Sequence, residues 1–221
     1  MTGRRYLSRR RLTKQMGLVA GVSLLPPVVA GASIATPEQV EGPFYPVHRQ
    51  HDLDTDLTHV TGRTQRAEGE VTLVRGRVLA SSGGPLQGAL VDVWQANHHG
   101  RYSHSRDRNT SALDPNFQGW AMMSTSAEGR YGFRTIKPGA YPLAALGGDG
   151  WRCRHIHFKV SKPGSTPLTT QMYFFGDPLI EHDLEIRKAP AELRDLLISR
   201  KTEDEDSGLP LFEFDIVLDD V

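Results

Sequence analysis

The sequence predicts an all-β fold: a β-sandwich core with long active-site loops, an extended N-terminal arm and one short helix near the C-terminus. Three observations carry this. Short alternating or β-branched runs recur from Val71 onward, Gly/Pro clusters punctuate them, and only one stretch has helical spacing. With 221 residues, 38% of them hydrophobic, the chain can bury one core of ordinary size.

The first segment is an address rather than part of the fold. Arg4, Arg5, Arg9, Arg10, Arg11 and Lys14 precede an apolar stretch from Met16 to Val29 that Pro26 and Pro27 interrupt. Such a stretch is too short for a comfortable membrane span, and Ala30-Gly31-Ala32 has the small-x-small pattern of a cleavage site. "SRRRLTK" resembles the twin-arginine export motif, so residues 1–32 are expected to be a signal and the protein to be exported, periplasmic or extracellular. Once the signal is removed, no stable membrane anchor is expected.

Residues 33–70 carry Pro37, Pro43 and Pro46 with little periodicity, and are expected to form an extended arm lying across the domain that follows, 71–221. In that domain "VTLVRGRVL", "ALVDVWQA", "GRYGFRTI", "RHIHFKVS", "LTTQMYFF" and "LFEFDIVL" read as strands. "ASSGGPLQG", "KPGAYP" and "KPGSTP" read as turns. "APAELRDLLISR" reads as the helix, with Leu193, Leu196 and Leu197 at i, i+3 and i+4, and "KTEDEDSG" after it as a solvated loop. Residues 97–128 and 139–154 read as long loops. Loops of that length in a compact domain are functional or disordered, and the aromatic residues in and beside these argue for function.

Composition excludes several classes. Lys plus Arg equals Asp plus Glu at 26 each, so no basic field exists to draw in nucleic acid. Cys153 is the only cysteine, which rules out an intrachain disulfide and any thiolate-built zinc or iron–sulfur site within one chain.

"WRCRHIHFKV" is the most informative stretch. Alternation places His155 and His157 on one face of a strand, with Ile156 and Phe158 on the other. Two imidazoles on one face can hold a metal, or can sit on a wet surface. Candidate oxygen partners are Tyr102 in "GRYSH" and Tyr141 in "PGAYP". A phenol ionises near neutral pH only when a strong Lewis acid takes its oxygen, which points to a ferric ion. Two phenolates and a hydroxide would balance its three charges. Either tyrosine alone also reads as a strand-edge aromatic. His98, His99 and His104 are rival ligands near Tyr102, whereas His48, His51, His59 and His182 read as surface residues.

"TPEQVEGPFYP", "VDVWQANHHGRYSH", "LDPNFQGW", "GRYGFRTIKPGAYP" and "WRCRHIHFKV", in that order, resemble the intradiol ring-cleavage dioxygenases, most nearly the protocatechuate 3,4-dioxygenase branch, from about Thr36 onward. The resemblance implies non-haem Fe(III) held by Tyr102, Tyr141, His155 and His157 with a solvent hydroxide. The substrate would be a catechol, cleaved with O2 to a cis,cis-muconate-type diacid. It also implies that Tyr141 leaves the metal with a proton as substrate binds, that Arg152 stands beside the ring, and that Gln171 supports the site from behind. Arg152 would then lie in the loop before a strand that starts near Arg154. Cys153-Arg154 stands where the family often has Pro-Ala, and "LAALGGDG" replaces a more basic segment that in protocatechuate enzymes helps hold the ring carboxylate. A homo-oligomer or a second subunit is left open. Two other readings are a non-catalytic β-sandwich binding module, and a cupin-like oxygenase or zinc hydrolase using His155 and His157 with carboxylates. Cupins usually place a Glu shortly after H-x-H, and residues 158–168 contain none.

Overall fold

The computed structural model describes residues 33–47, 52 and 54–219. The signal expected over 1–32, and His48 and His51, lie outside the described residues. In chain order the strands are β1 (Val71–Ala80), β2 (Leu90–Trp94), β3 (Trp120–Ser124), β4 (Arg130–Ile136), β5 (Tyr141–Pro142), β6 (Trp151–Arg152), β7 (His155–Ser161), β8 (Leu168–Phe174), β9 (Ile198–Ser199), β10 (Lys201–Glu203), β11 (Pro210–Glu213) and β12 (Ile216–Leu218).

They form two five-stranded sheets and a two-stranded ladder. In the first sheet the long β1 pairs antiparallel with β4 along one edge. Along its other edge β1 pairs in parallel with β11 at Leu73–Arg75 and with β12 at Val78–Ala80. The second sheet runs β3-β2-β7-β8-β9, and β5 pairs with β6. The two large sheets pack face to face, as in a sandwich. Period-2 alternation supplies the core between them: Val74, Val78 and Phe133 from one side, Val91, Val93, Ile156, Phe158, Val160, Met172 and Phe174 from the other. Burying a ring such as Phe158, which is 0% exposed, contributes about 1.5–3 kcal/mol.

Alternation also decides what faces outward on the second sheet: Asp92 and Trp94 on β2, His155 and His157 on β7, Gln171 and Tyr173 on β8. That outer face is buried as well, with every one of these residues at 5% exposure or less. The N-terminal arm and the loops around 97–111 and 139–152 cover it. Backbone hydrogen bonds tie the described start of the arm to both sheets. The Ser33 amide donates to Ser81, Thr36 to the Val217 carbonyl (3.1 Å) and Gln39 to that of Thr169 (2.8 Å).

Five local expectations change. Residues 139–154 are not all loop, since they hold the short β5 and β6. Residues 97–128 are not all loop, because β3 lies within them. "WAMMS" lacks alternation, and as an edge strand it pairs only with β2. "KTEDEDSG" is not all loop either: Lys201–Glu203 form β10, whose exposed charged side chains suit an edge. "LFEFDIVL" is two strands, broken at Phe214–Asp215, where the Asp215 carboxylate accepts the Arg77 amide at 2.8 Å. The helix near the C-terminus is a 3-10 helix, Ala191–Leu197, entered from Pro190. It buries Leu197 and leaves Leu196 exposed, and shorter 3-10 turns occur at 143–146, 180–182 and 186–188. No helix among the described residues is long and apolar enough to cross a membrane.

Candidate active site

The two histidines of β7 converge with the two tyrosines of the covering loops. The His155 Nε2 and His157 Nε2 atoms are 3.2 Å apart. Tyr102 Oη is 3.3 Å from His155 Nε2. Tyr141 completes the group: its ring centroid lies 5.7 Å from that of Tyr102 and 5.7 Å from that of His155. The rival histidines stand elsewhere. His98 is exposed, His99 bonds to Glu68 at 2.9 Å, and the His104 ring packs on Phe44 at 5.8 Å. His59 and His182 are exposed, as expected.

Local sequence explains how the loops deliver the phenols. The Asn97 side chain closes the turn after β2 by accepting the amides of His99 (2.9 Å) and Arg101 (3.0 Å). Asp107 then takes the Tyr102 amide at 2.7 Å. Gly100 has φ +76°, and a Cβ there would sit 2.2 Å from the Ala140 carbonyl oxygen. The Tyr102 loop can therefore lie on the Tyr141 strand only with glycine at this crossing. Tyr141 pairs directly with Arg152 in the β5–β6 ladder. Arg152 is thus not in a loop: it occupies a strand of its own, separate from β7. A two-residue ladder has no period for a sequence to reveal.

Arg152 is 5% exposed and held at two nitrogens. Its Nε donates to Asp183 (2.9 Å) and an Nη donates to the Gln171 side-chain oxygen (2.6 Å). Gln171 in turn donates to the Val40 carbonyl at 2.8 Å, and so ties Arg152 to the arm. Burial works against the Arg152 charge, but Tyr141 and Asp183 outweigh it and push its pKa up. Burial dominates at the other groups. It pushes both histidines well below the usual imidazole range, with Arg152 adding to the effect. It pushes Tyr102 and Tyr141 up, partly offset by Arg152.

The donors suit a hard, highly charged metal ion. His155 Nδ1 bonds to the Cys153 carbonyl at 2.7 Å, and a carbonyl only accepts. Nδ1 therefore carries the proton and Nε2 presents a bare lone pair to the centre. A second imidazole and the Tyr102 phenol oxygen come within 3.3 Å of that lone pair, and the Tyr141 ring packs beside it. Among the described residues no group of three or more His, Cys, Asp and Glu side chains is placed to hold a metal. The remaining donors beside these histidines are thus phenols.

Comparison with known proteins gives the family. Residues 40–220 match the model of the Dioxygenase family. The chain belongs to this family. It is 44% identical over 187 residues to the protocatechuate 3,4-dioxygenase beta chain of Burkholderia cepacia, covering 82% of this chain and 79% of that one. It is 39% identical over 168 residues to a catechol 1,2-dioxygenase of Acinetobacter lwoffii, covering 70% of this chain and 56% of the relative. Among solved structures, the 3-chlorocatechol 1,2-dioxygenase of Rhodococcus opacus superposes with a TM-score of 0.66 at 26% identity, over 84% of this chain and 73% of that one. The dioxygenase domain of a carbohydrate-binding fusion from Streptomyces does so with 0.61 at 32% identity, over 85% of this chain and 100% of that one. The protein is an intradiol ring-cleavage dioxygenase, nearest the protocatechuate branch.

Several residues of this dioxygenase's site escape a reading of sequence alone. Trp94 stacks on His157 at 4.7 Å and 8°. Phe44 packs on Tyr102 at 4.7 Å, and Gly42 approaches the His157 ring. Tyr45 donates to Asp92 at 2.6 Å, and Asp92 also accepts from Trp120 Nε1. Tyr173, two residues after Gln171 on the same face, was open to the alternation argument that found the histidines. Asp183 carried no such signal.

Proposed function

We propose that the protein is a non-haem Fe(III) enzyme that opens catechols between their two hydroxyl-bearing carbons, inserting both atoms of O2 to give a cis,cis-muconate-type diacid. The observation that carries this is the meeting of a bare imidazole lone pair on His155 with a second imidazole and a phenol oxygen within 3.3 Å, inside a water-excluding aromatic shell. Tyr102, Tyr141, His155 and His157 would hold the iron. When bound, Fe(III) would act as a Lewis acid toward the catechol oxygens and withdraw enough electron density for the ring to react with O2.

The chain's own groups do the rest. In the iron-loaded site Tyr141 would be a phenolate, and its Oη would take a catechol proton and keep it, because burial favours the neutral phenol. Tyr102, whose amide is tied to Asp107, remains in place. Arg152, fixed at two nitrogens, stabilises negative charge gathering on the ring. Trp94 holds the plane of His157 by stacking. Residues 143–151 contain no Lys, Arg or His, so this segment offers a ring carboxylate no cation, and unsubstituted catechol is favoured over protocatechuate. The basic, twin-arginine-like leader supports export of this activity from the cytoplasm.

The test is colour and gas uptake. Iron-loaded protein should be burgundy-red from phenolate-to-Fe(III) charge transfer and consume one O2 per catechol, with catechol and protocatechuate compared side by side. A colourless iron-loaded protein without O2 uptake would end this reading.

A further inference from the structure

The segment Arg152–Arg154, which joins the arginine to the first histidine, rests on two aspartates from a single loop after β8. Asp183, 0% exposed, accepts Arg152 Nε (2.9 Å) and the Cys153 amide (2.8 Å) through one oxygen. Asp177, whose side chain is 1% exposed, accepts the Arg154 amide (3.1 Å) and a guanidinium nitrogen of Arg154 (3.2 Å). The Arg154 amide and the Cys153 carbonyl are the two ends of one peptide group. That carbonyl accepts His155 Nδ1–H at 2.7 Å. The carboxylate of Asp177 is therefore linked to the His155 imidazole through one planar, polarisable peptide.

We infer that Asp177 and Asp183 are positioning residues with separate targets, Asp177 acting on His155 through the Cys153–Arg154 peptide and Asp183 acting on Arg152. A carboxylate behind a ligating histidine fixes its tautomer and raises the basicity of the ligating nitrogen. Here the same influence passes through an interposed peptide, since hydrogen bonds in a chain polarise one another. The Asp177 oxygen holds the N–H end, the C=O end becomes a stronger acceptor, and the Nδ1 proton is drawn from Nε2. Asp183 instead holds the guanidinium in the orientation that Gln171 completes. This inference rests on the proposed iron site.

The experiment uses the full chain, both metal-free and iron-loaded, with Asp177→Asn, Asp183→Asn and Arg154→Ala. Asp177→Asn is expected to weaken iron binding about 10–100-fold. In the metal-free form it should also change the His155 imidazole nitrogen signals by NMR, showing a loosened Nδ1–H tautomer. Arg154→Ala removes the ion pair but keeps the amide bond, and should leave both readouts near wild type. Asp183→Asn should lower kcat for catechol more than it changes KM, with a smaller loss of iron affinity than Asp177→Asn. Wild-type iron affinity and unchanged His155 signals in Asp177→Asn would overturn the inference. So would an Arg154→Ala variant that reproduces the Asp177→Asn loss. Should Asp177→Asn fail to fold, Asp177→Asn/Arg154→Ala removes both charges together and must still show the loss relative to Arg154→Ala. Wild-type protein that takes no iron and consumes no O2 would instead refute the proposed function, and the His155 signals of the metal-free variants would still judge the linkage.

Discussion

The two sheets each have an outer face, and the two faces have had opposite fates. On the first sheet Arg75 and Arg77 are about half exposed, with side chains at 49% and 47%; Arg77 pairs with the exposed Asp215, and Arg75 with the more sheltered Asp204. On the second sheet His155 and His157 are each 2% exposed beneath the arm and two loops. The strand geometry is the same, so the cover makes the difference. A sheet face left in water supports surface ion pairs of small energetic value. A sheet face covered by protein forces its polar groups to find defined partners, and their charges and pKa values become tools. In β7 one strand serves two buried regions, with Ile156, Phe158 and Val160 in the core and the imidazoles in the site.

The contrast can be tested from its strongest consequence downward. His157→Ala should cost at least about 100-fold in iron affinity and abolish turnover, measured by metal titration and O2 uptake. Tyr141→Phe should slow turnover by about 10²–10⁴-fold while iron still binds, because it removes the group that takes the catechol proton. Phe158→Ala, one residue along on the opposite face, should destabilise the fold by about 3–5 kcal/mol in denaturant titration. Acidification should act on the covered face of the metal-free protein. The folded-state pKa values of His155 and His157 are lowered, so below about pH 6.5 the unfolded chain binds protons that the folded chain refuses. Stability should then fall with decreasing pH, by at most about 2.7 kcal/mol per unit for the two groups, and bound iron should suppress the effect. Arg77→Ala, on the open face, should change stability by no more than about 1 kcal/mol and leave kinetics untouched. A large kinetic effect there would break the comparison.

Much of this was legible in the sequence where the cause is local. Alternation found β1, β2, β4, β7 and β8 and put the histidines on one side of their strand. The tyrosine-bearing loops were visible as polar, aromatic stretches between strands. What stayed hidden depends on long-range contact. Phe44 and Tyr45 sit in an aperiodic arm, and nothing local says that they roof Tyr102 and pack on Trp94. Asp177 and Asp183 look like turn residues until the fold brings them beneath Arg152–Arg154. β5 and β6 are two residues each, below the length at which periodicity exists.

The pairing of β1 with strands from the far end of the chain bears on how the protein is made. Val78–Ala80 find their parallel partners only in Ile216–Leu218, and Thr36 in the arm exchanges hydrogen bonds with Val217 at 3.1 and 2.9 Å. The first sheet cannot be completed while Ile216–Leu218 are still inside the ribosome. With so many partners distant in sequence, folding of this domain should be slow.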